Sequence, residues 1–142
     1  MFAANTVVPV AKSRMEIEQL LERHKAKQYG TAVDYDLRTA RVQFRLHDRI
    51  VRFTVALPDP KQLGAGKRLE QAERQRWRAL LLVIKAKLES VENKIETFEQ
   101  AFLANVVLPN DKTVAEMVAP HIAVAYKEGR MPRQLTAAPE EP

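Results

Sequence analysis

Basic side chains are concentrated in one part of this sequence, and such side chains are the groups that contact phosphate. Between positions 67 and 87, seven lysines and arginines stand against two glutamates. Those expected to contact phosphates are Lys67, Arg68, Arg74, Arg78 and Lys85. Contacts of this kind release condensed counterions, which makes binding salt-dependent. The pattern is compatible with a phosphate-binding helix, but taken alone it favours a solvated helix face held by pairs such as Glu70 with Arg74.

Three further arginines, Arg41, Arg45 and Arg52, fall on one face of predicted strands and could extend this surface. Asp34 and Asp36 alternate along the preceding segment, as paired carboxylates of a two-metal nuclease would. No third carboxylate and lysine follow at a suitable spacing. The favoured interpretation is therefore that these aspartates pair with the three arginines across neighbouring strands.

Other catalytic patterns are absent from the sequence. The three histidines, His24, His47 and His121, do not have metal-ligand spacing. The segment GAGK at positions 64–67 is too short for a phosphate-binding loop. We therefore expect no metal, no cofactor, no catalytic residue and no enzymatic activity.

Composition sets the class of protein. The 142 residues include 23 basic and 18 acidic side chains, a net charge of +5, and no cysteine. A disulfide framework and a cysteine nucleophile are excluded, and a reducing compartment is favoured. No apolar run is long enough to cross a membrane. We expect one cytoplasmic domain over residues 1–130 and a disordered, proline-rich tail over residues 131–142.

The elements that position the basic residues begin with a helix and three strands. In SRMEIEQLLERHKAKQYG, Ser13 precedes Glu16 at the capping-box spacing, and Gly30 offers a stop. Apolar and polar residues alternate in TAVDYDL, which predicts one strand. They alternate on both sides of His47-Asp48 in ARVQFRLHDRIVRFTVAL, which predicts two more strands.

A tight turn at His47-Asp48 predicts the register of the last two strands. It pairs Phe44 with Val51 and Val42 with Phe53 on a core face and leaves the arginines on the other. Because His-Asp is not a favoured tight-turn pair, a longer loop that shifts this register remains an alternative.

A long helix and a short C-terminal helix follow. The long helix carries an apolar seam with steps of three and four residues: Trp77, Leu81, Ile84, Leu88, Val91, Ile95, Phe98 and Phe102. From Val91 to Phe102 the seam suits packing on the chain's own last helix or, as an alternative, a homodimer. The last helix is capped by Thr113 or Asp111, should be kinked or broken at Pro120, and ends at Gly129. The predicted fold is α+β.

The order helix, three strands, long helix resembles the double-stranded RNA-binding domain. GAGKRLEQAERQRWRALL is similar to that family's lysine-rich approach to its final helix, although only one Lys-Arg pair is present. The resemblance implies that Lys67 and Arg68 meet phosphates across a groove.

A second resemblance covers most of the chain. The blocks SRMEIEQLLERH, RIVRFTVALP, RQRWRALLLVIKAKLESVE, TFEQAFLANVVLP and TVAEMVAPHIAVAY are similar, in the same order, to a family of small proteins of tailed phages, prophages and metagenomes. The resemblance implies a phage-encoded protein that acts in a bacterial cytoplasm. It implies no activity and no site residue.

Together these features predict an accessory protein that binds nucleic acid through a basic helix and a sheet face. The alternative is an inhibitor or adaptor that occupies a host protein through the long helix or an exposed sheet edge.

Overall fold

The chain folds as a helix, a three-stranded sheet, a long helix and short C-terminal helices in a computed structural model that describes residues 3–133. The α+β class is confirmed. The elements are α1 Val10–Arg23, β1 Gln28–Asp34, β2 Thr39–Leu46, β3 Arg49–Ala56, α2 Pro60–Leu63, α3 Lys67–Glu92, α4 Phe98–Phe102, a 3-10 turn Leu103–Asn105 and α5 Val114–Glu128. Most of the expected tail lies outside the described residues.

The register expected for β2 and β3 is confirmed. Phe44 pairs with Val51 and Val42 with Phe53 in an antiparallel sheet of order β1-β2-β3. His47 and Asp48 form the turn with φ angles of 51° and 58°. Two consecutive left-handed residues are what a two-residue type I′ hairpin turn requires, so the longer loop does not form.

The first helix begins and ends earlier than expected. Pro9 occupies the N-cap, and Ser13 lies inside α1, fully buried, with no hydrogen-bond partner among the described residues for its Oγ. The capping box at Ser13 is therefore wrong. The helix ends at Arg23, so Gly30 is not its stop but lies within β1.

The early end of α1 moves β1 toward the N-terminus. A strand over residues 31–37 was expected, whereas β1 covers Gln28–Asp34 and Asp36 falls in the following turn. Asp34 Oδ1 accepts a hydrogen bond of 2.9 Å from the Leu37 N–H, so this carboxylate closes the turn. No ion pair joins either aspartate to Arg41, Arg45 or Arg52, and the expected cross-strand pairing is wrong.

One face of the sheet carries the core. The buried side chains of α1 and α3, among them Ile17, Trp77 and Ile84, belong to the same cluster as Val42 and Phe53 of the strands. On the other face, no helix of residues 3–133 forms a layer, and this face carries most of the polar side chains of the strands. We call these the inner and outer faces of the sheet.

The long helix stops before its expected seam does. Asn93 is the C-cap of α3, and Lys94 adopts a left-handed φ of 60°. Thr97 and Gln100 then form the capping box of α4, which returns Phe102 to the inner face, with ring centroids 5.7 Å from Phe44. Because residues 91–102 are not one helix, the continuous helical seam is wrong, and its last member, Phe102, is buried within the chain.

The C-terminal segment closes one edge of the sheet before it forms α5. The Val107 N–H donates to the Ile50 carbonyl at 2.8 Å, and Val106 bridges Val51. Thr113 caps α5 and Gly129 ends it in the left-handed region, as expected. Pro120 does not break the helix.

Candidate nucleic-acid interface

The eight cations expected to contact phosphate do not form one stripe. Those of the strands project from the outer face of the sheet, whereas those of α3 belong to the helix layer that packs on the inner face. The outer-face group is Arg41, Arg45 and Arg52, and the helix group is Lys67, Arg68, Arg74, Arg78 and Lys85. The core separates the two groups.

Neighbouring side chains hold three of these cations. Arg78 forms an ion pair with Glu16 of α1, and both side chains are about three-quarters buried. Arg74 donates to Gln71 at 2.6 Å. Arg52, only 6% exposed, donates to Gln43 at 2.9 Å and to the Asp111 carboxylate at 2.5 Å.

Arg52 therefore holds the loop that contains Asp111 and precedes α5, and its guanidinium is not available to a ligand. Its guanidinium also donates to the Asp111 carbonyl at 2.9 Å. The hydrogen bond and the positive charge of Arg52 lower the pKa of Asp111, and the charge of Arg41 adds to this effect. The Asp111 side chain is 82% exposed, so its carboxylate stays at the rim of the outer face.

Arg41 and Arg45 remain available on the outer face. Both are exposed, and neither forms a hydrogen bond or ion pair within the part of the chain that the structure describes. They border an open hollow of about 330 Å³. Its lining is Gln28, Tyr29, Gly30, Thr31, Ala32, Arg41, Gln43, Phe44, Arg45 and Ile50.

The hollow exists because the middle of β1, between Gln28 and Asp34, contributes almost no side-chain bulk to the outer face. Gly30 pairs with Gln43 and Ala32 pairs with Arg41. A Cβ added at Gly30 would meet nothing within 4 Å, so the strand backbone is accessible there. The sequence reasoning missed Gly30 and Ala32 because it took the glycine as a helix stop; alternation extended back to Gln28 would have found both.

The Tyr29 side chain leaves the inner side of β1 and meets an acidic side chain of α1. The Tyr29 hydroxyl donates to the Glu22 carboxylate at 3.4 Å. The negative charge of Glu22 raises the pKa of Tyr29 above its usual value, so the phenol stays neutral. The tyrosine adds hydrogen-bonding capacity but no charge.

A second basic surface lies at the start of α3. Lys67 and Arg68 are exposed in its first turn, beside a hollow of about 580 Å³ that also touches Arg76. The N-cap residue Gly66 provides no side-chain hydrogen bond. Lys85 lies elsewhere, in the groove between α1 and α3, together with Arg23. Sequence reasoning did not select Arg23 or Arg76, because neither position reveals which groove it borders.

Within residues 3–133, no group of three or more histidine, aspartate and glutamate side chains could hold a metal ion. No helix of the described chain is long and apolar enough to cross a membrane. No protein-family model, curated protein or solved structure matches the chain.

Proposed function

We propose that this chain binds nucleic acid through the outer face of its sheet, as a small phage-encoded accessory protein in the bacterial cytoplasm. One observation carries the proposal: Arg41 and Arg45 are exposed and unpaired beside a hollow with an accessible backbone. Guanidinium groups in this state can bind phosphate without first giving up a protein partner.

The spacing of the two arginines supports contacts to separate phosphates. They lie four residues apart on β2, so their Cα atoms are about 13 Å apart and both side chains leave the same face. The amides of Gln28 and Gln43 lie between and beside them and can donate or accept hydrogen bonds.

The chemistry of the face favours recognition of the backbone over recognition of bases. The outward positions of the three strands hold no aromatic side chain on which a base could stack. Contacts to phosphate and sugar fix a ligand's position and carry no sequence information. We therefore expect binding that depends little on sequence and strongly on salt.

Fluorescence anisotropy of labelled single-stranded DNA, duplex DNA and duplex RNA, titrated at two salt concentrations, tests the proposal. Each lost phosphate contact lowers the slope of log affinity against log salt by about 0.7 to 0.9. The double variant Arg41→Ala/Arg45→Ala should lower the slope by about 1.4 to 1.8 and weaken binding at least about tenfold at low salt.

The matched control is Lys67→Ala/Arg68→Ala. It removes the same net charge from exposed positions on the helix layer and should change binding much less. Far-UV circular dichroism confirms that both variants are folded. If both variants lose the same affinity for nucleic acid, the effect comes from net charge alone. If the control variant loses more affinity, the interface lies at the start of α3.

No binding at low salt would overturn the proposal. Capture of a bacterial protein that survives nuclease treatment would then favour the inhibitor or adaptor. The surface to examine first in that case is β1, an edge strand that pairs with β2 alone among the described strands.

A further inference from the structure

The last helix presents a large apolar surface that no other element within residues 3–133 covers. None of the residues of α5 is buried. Ile122 and Val124 are 47% and 46% exposed, and Tyr126 is 87% exposed. A helix that is apolar on most sides is ordinarily covered, and an exposed apolar patch of this kind marks an interaction surface.

Only one side of α5 meets the rest of the chain. Val114, Val118, His121 and Ala125 are half-buried, and their spacing places them on a single stripe. The helix contacts the 3-10 turn that precedes it. The remaining circumference is the outward side.

The outward side has opposite charges at its two ends. Glu116 and Lys127 are eleven residues apart, which is three turns and about 20°, so both lie on the side opposite the half-buried stripe. Ala119 and Ala123 lie between them and leave room for a close approach of another helix.

We propose that the outward side of α5 docks against the same side of α5 in a second copy of this chain, in an antiparallel pair whose twofold axis crosses the helix midway between Glu116 and Lys127. In that arrangement Glu116 of each copy lies beside Lys127 of the other. A parallel, in-register pair would put like charges together. A twofold interface requires a surface that is complementary to itself. The charges of two α5 helices are complementary only when the helices run antiparallel.

The chain's own C-terminus is a poorer occupant. Residues 134–142 read QLTAAPEEP and contain two glutamates and no lysine or arginine. Such a segment offers no cation for Glu116 and no amphipathic pattern for the apolar side of the helix.

Sedimentation equilibrium of the full chain, treated with nuclease and measured over a wide concentration range, tests the proposal. We expect a reversible transition from 16.2 kDa to twice that mass. Because each charge occurs twice in the dimer, Glu116→Lys and Lys127→Glu should each weaken the dimer about tenfold. The double variant Glu116→Lys/Lys127→Glu should recover most of that loss.

The double variant separates charge pairing from damage to the helix. Glu116 also accepts a hydrogen bond from the Thr113 hydroxyl at 3.1 Å, so any change there weakens the cap of α5. The double variant does not restore that bond, and recovery can therefore come only from the pair between copies. Asp36→Lys, an exposed charge reversal in the β1-β2 turn, is the matched control and should leave the dimer unchanged.

Three results would overturn the proposal. One is a monomer at every concentration. Another is a dimer that both single charge reversals leave intact, or that the double variant weakens further. The third is an association that disappears when residues 134–142 are removed, since that would assign the surface to the tail. None of these results bears on the binding of nucleic acid.

Discussion

The two longest helices of this chain, α3 and α5, show that burial depends on the surface a helix meets rather than on its composition. Eleven of the 26 residues of α3 are charged, yet five of its side chains are buried. Only three of the 15 residues of α5 are charged, and none of its side chains is buried. The apolar side of α3 faces the sheet and α1, whereas no layer formed by the described residues of one copy faces α5.

The difference between packed and uncovered regions also determines which arginines have carboxylate partners. Close packing brings the arginines near α3 within reach of carboxylates, as in the pairs of Arg78 with Glu16 and of Arg38 with Glu73, the latter at 3.2 Å. On the outer face of the sheet, where no layer covers the strands, Arg41 and Arg45 keep their charges free. An arginine is therefore paired where another segment packs close to it, as Asp111 does to Arg52 on the outer face, and unpaired where none does.

The strongest test of the contrast compares an aromatic side chain of the core, in α4, with one on the exposed side of α5. Phe102 is fully buried, with its ring centroid 6.2 Å from that of Phe53 and 4.9 Å from that of Phe98. Phe102→Ala should lower the free energy of unfolding by about 3 to 5 kcal/mol, because it leaves a cavity among packed rings. Urea denaturation of dilute protein measures the change.

Tyr126→Ala is the comparison variant in the same experiment. Its side chain is 87% exposed, so the change should stay within about 0.5 kcal/mol while the protein is monomeric. A cost for Tyr126→Ala comparable to that for Phe102→Ala, at dilutions where no dimer exists, would mean that α5 is part of the core.

A smaller effect is expected inside α1, where the sequence and the structure disagree on the role of Ser13. The buried hydroxyl has no partner among the described residues, and alanine is the better helix former. Ser13→Ala should therefore raise the free energy of unfolding by about 1 kcal/mol. If Ser13 capped the helix, the same change would lower it by about 1 kcal/mol. Thermal or urea unfolding gives the sign directly.

The smallest expected effect concerns the contact that ties the loop before α5 to the sheet. Arg52 lowers the pKa of Asp111 below its usual value. A carboxyl whose pKa is lower in the folded than in the unfolded protein stabilises the fold above its unfolded pKa of about 3.9. That contribution disappears as the pH falls through the lower, folded pKa.

Asp111→Asn should therefore cost a small amount of stability near neutral pH and nothing at the acid end. Asparagine tolerates the left-handed φ of 64° at this position. The backbone carbonyl of residue 111, which accepts a hydrogen bond from Arg52, is unchanged by the substitution. Urea denaturation of both proteins at neutral and acid pH measures the difference. A difference that does not shrink with acid would show that the charge of Asp111 plays no part.

The sequence predicted the strand register and the helix ends that depend only on a few neighbouring residues. Alternation around His47-Asp48 correctly predicted the register of two strands, Gly129 correctly predicted the end of α5, and its N-cap, Thr113, was one of two candidates with Asp111. The end of α3 could not be predicted in this way. Phe98 and Phe102 continue the seam's spacing because α4 turns their rings back to the same core.

The candidate site depended on relations that lie far apart in the sequence. Alternation alone placed Arg41, Arg45 and Arg52 on one face, but it could not show that Asp111, 59 residues from Arg52, removes one of the three charges. Nor does any local pattern show that the cations of α3 belong to the layer on the opposite side of the sheet.

The strand pairing of Val106 and Val107 with β3 joins the base of α5 to the sheet within a few residues. Two copies joined through α5 would therefore present two cationic faces on one particle. Such a particle would be bivalent: a nucleic acid long enough to reach both faces would be held about 10² to 10⁴ times more tightly than a short one, without any new contact. Ligand length would then control occupancy, and short oligonucleotides would understate the affinity of the assembled protein.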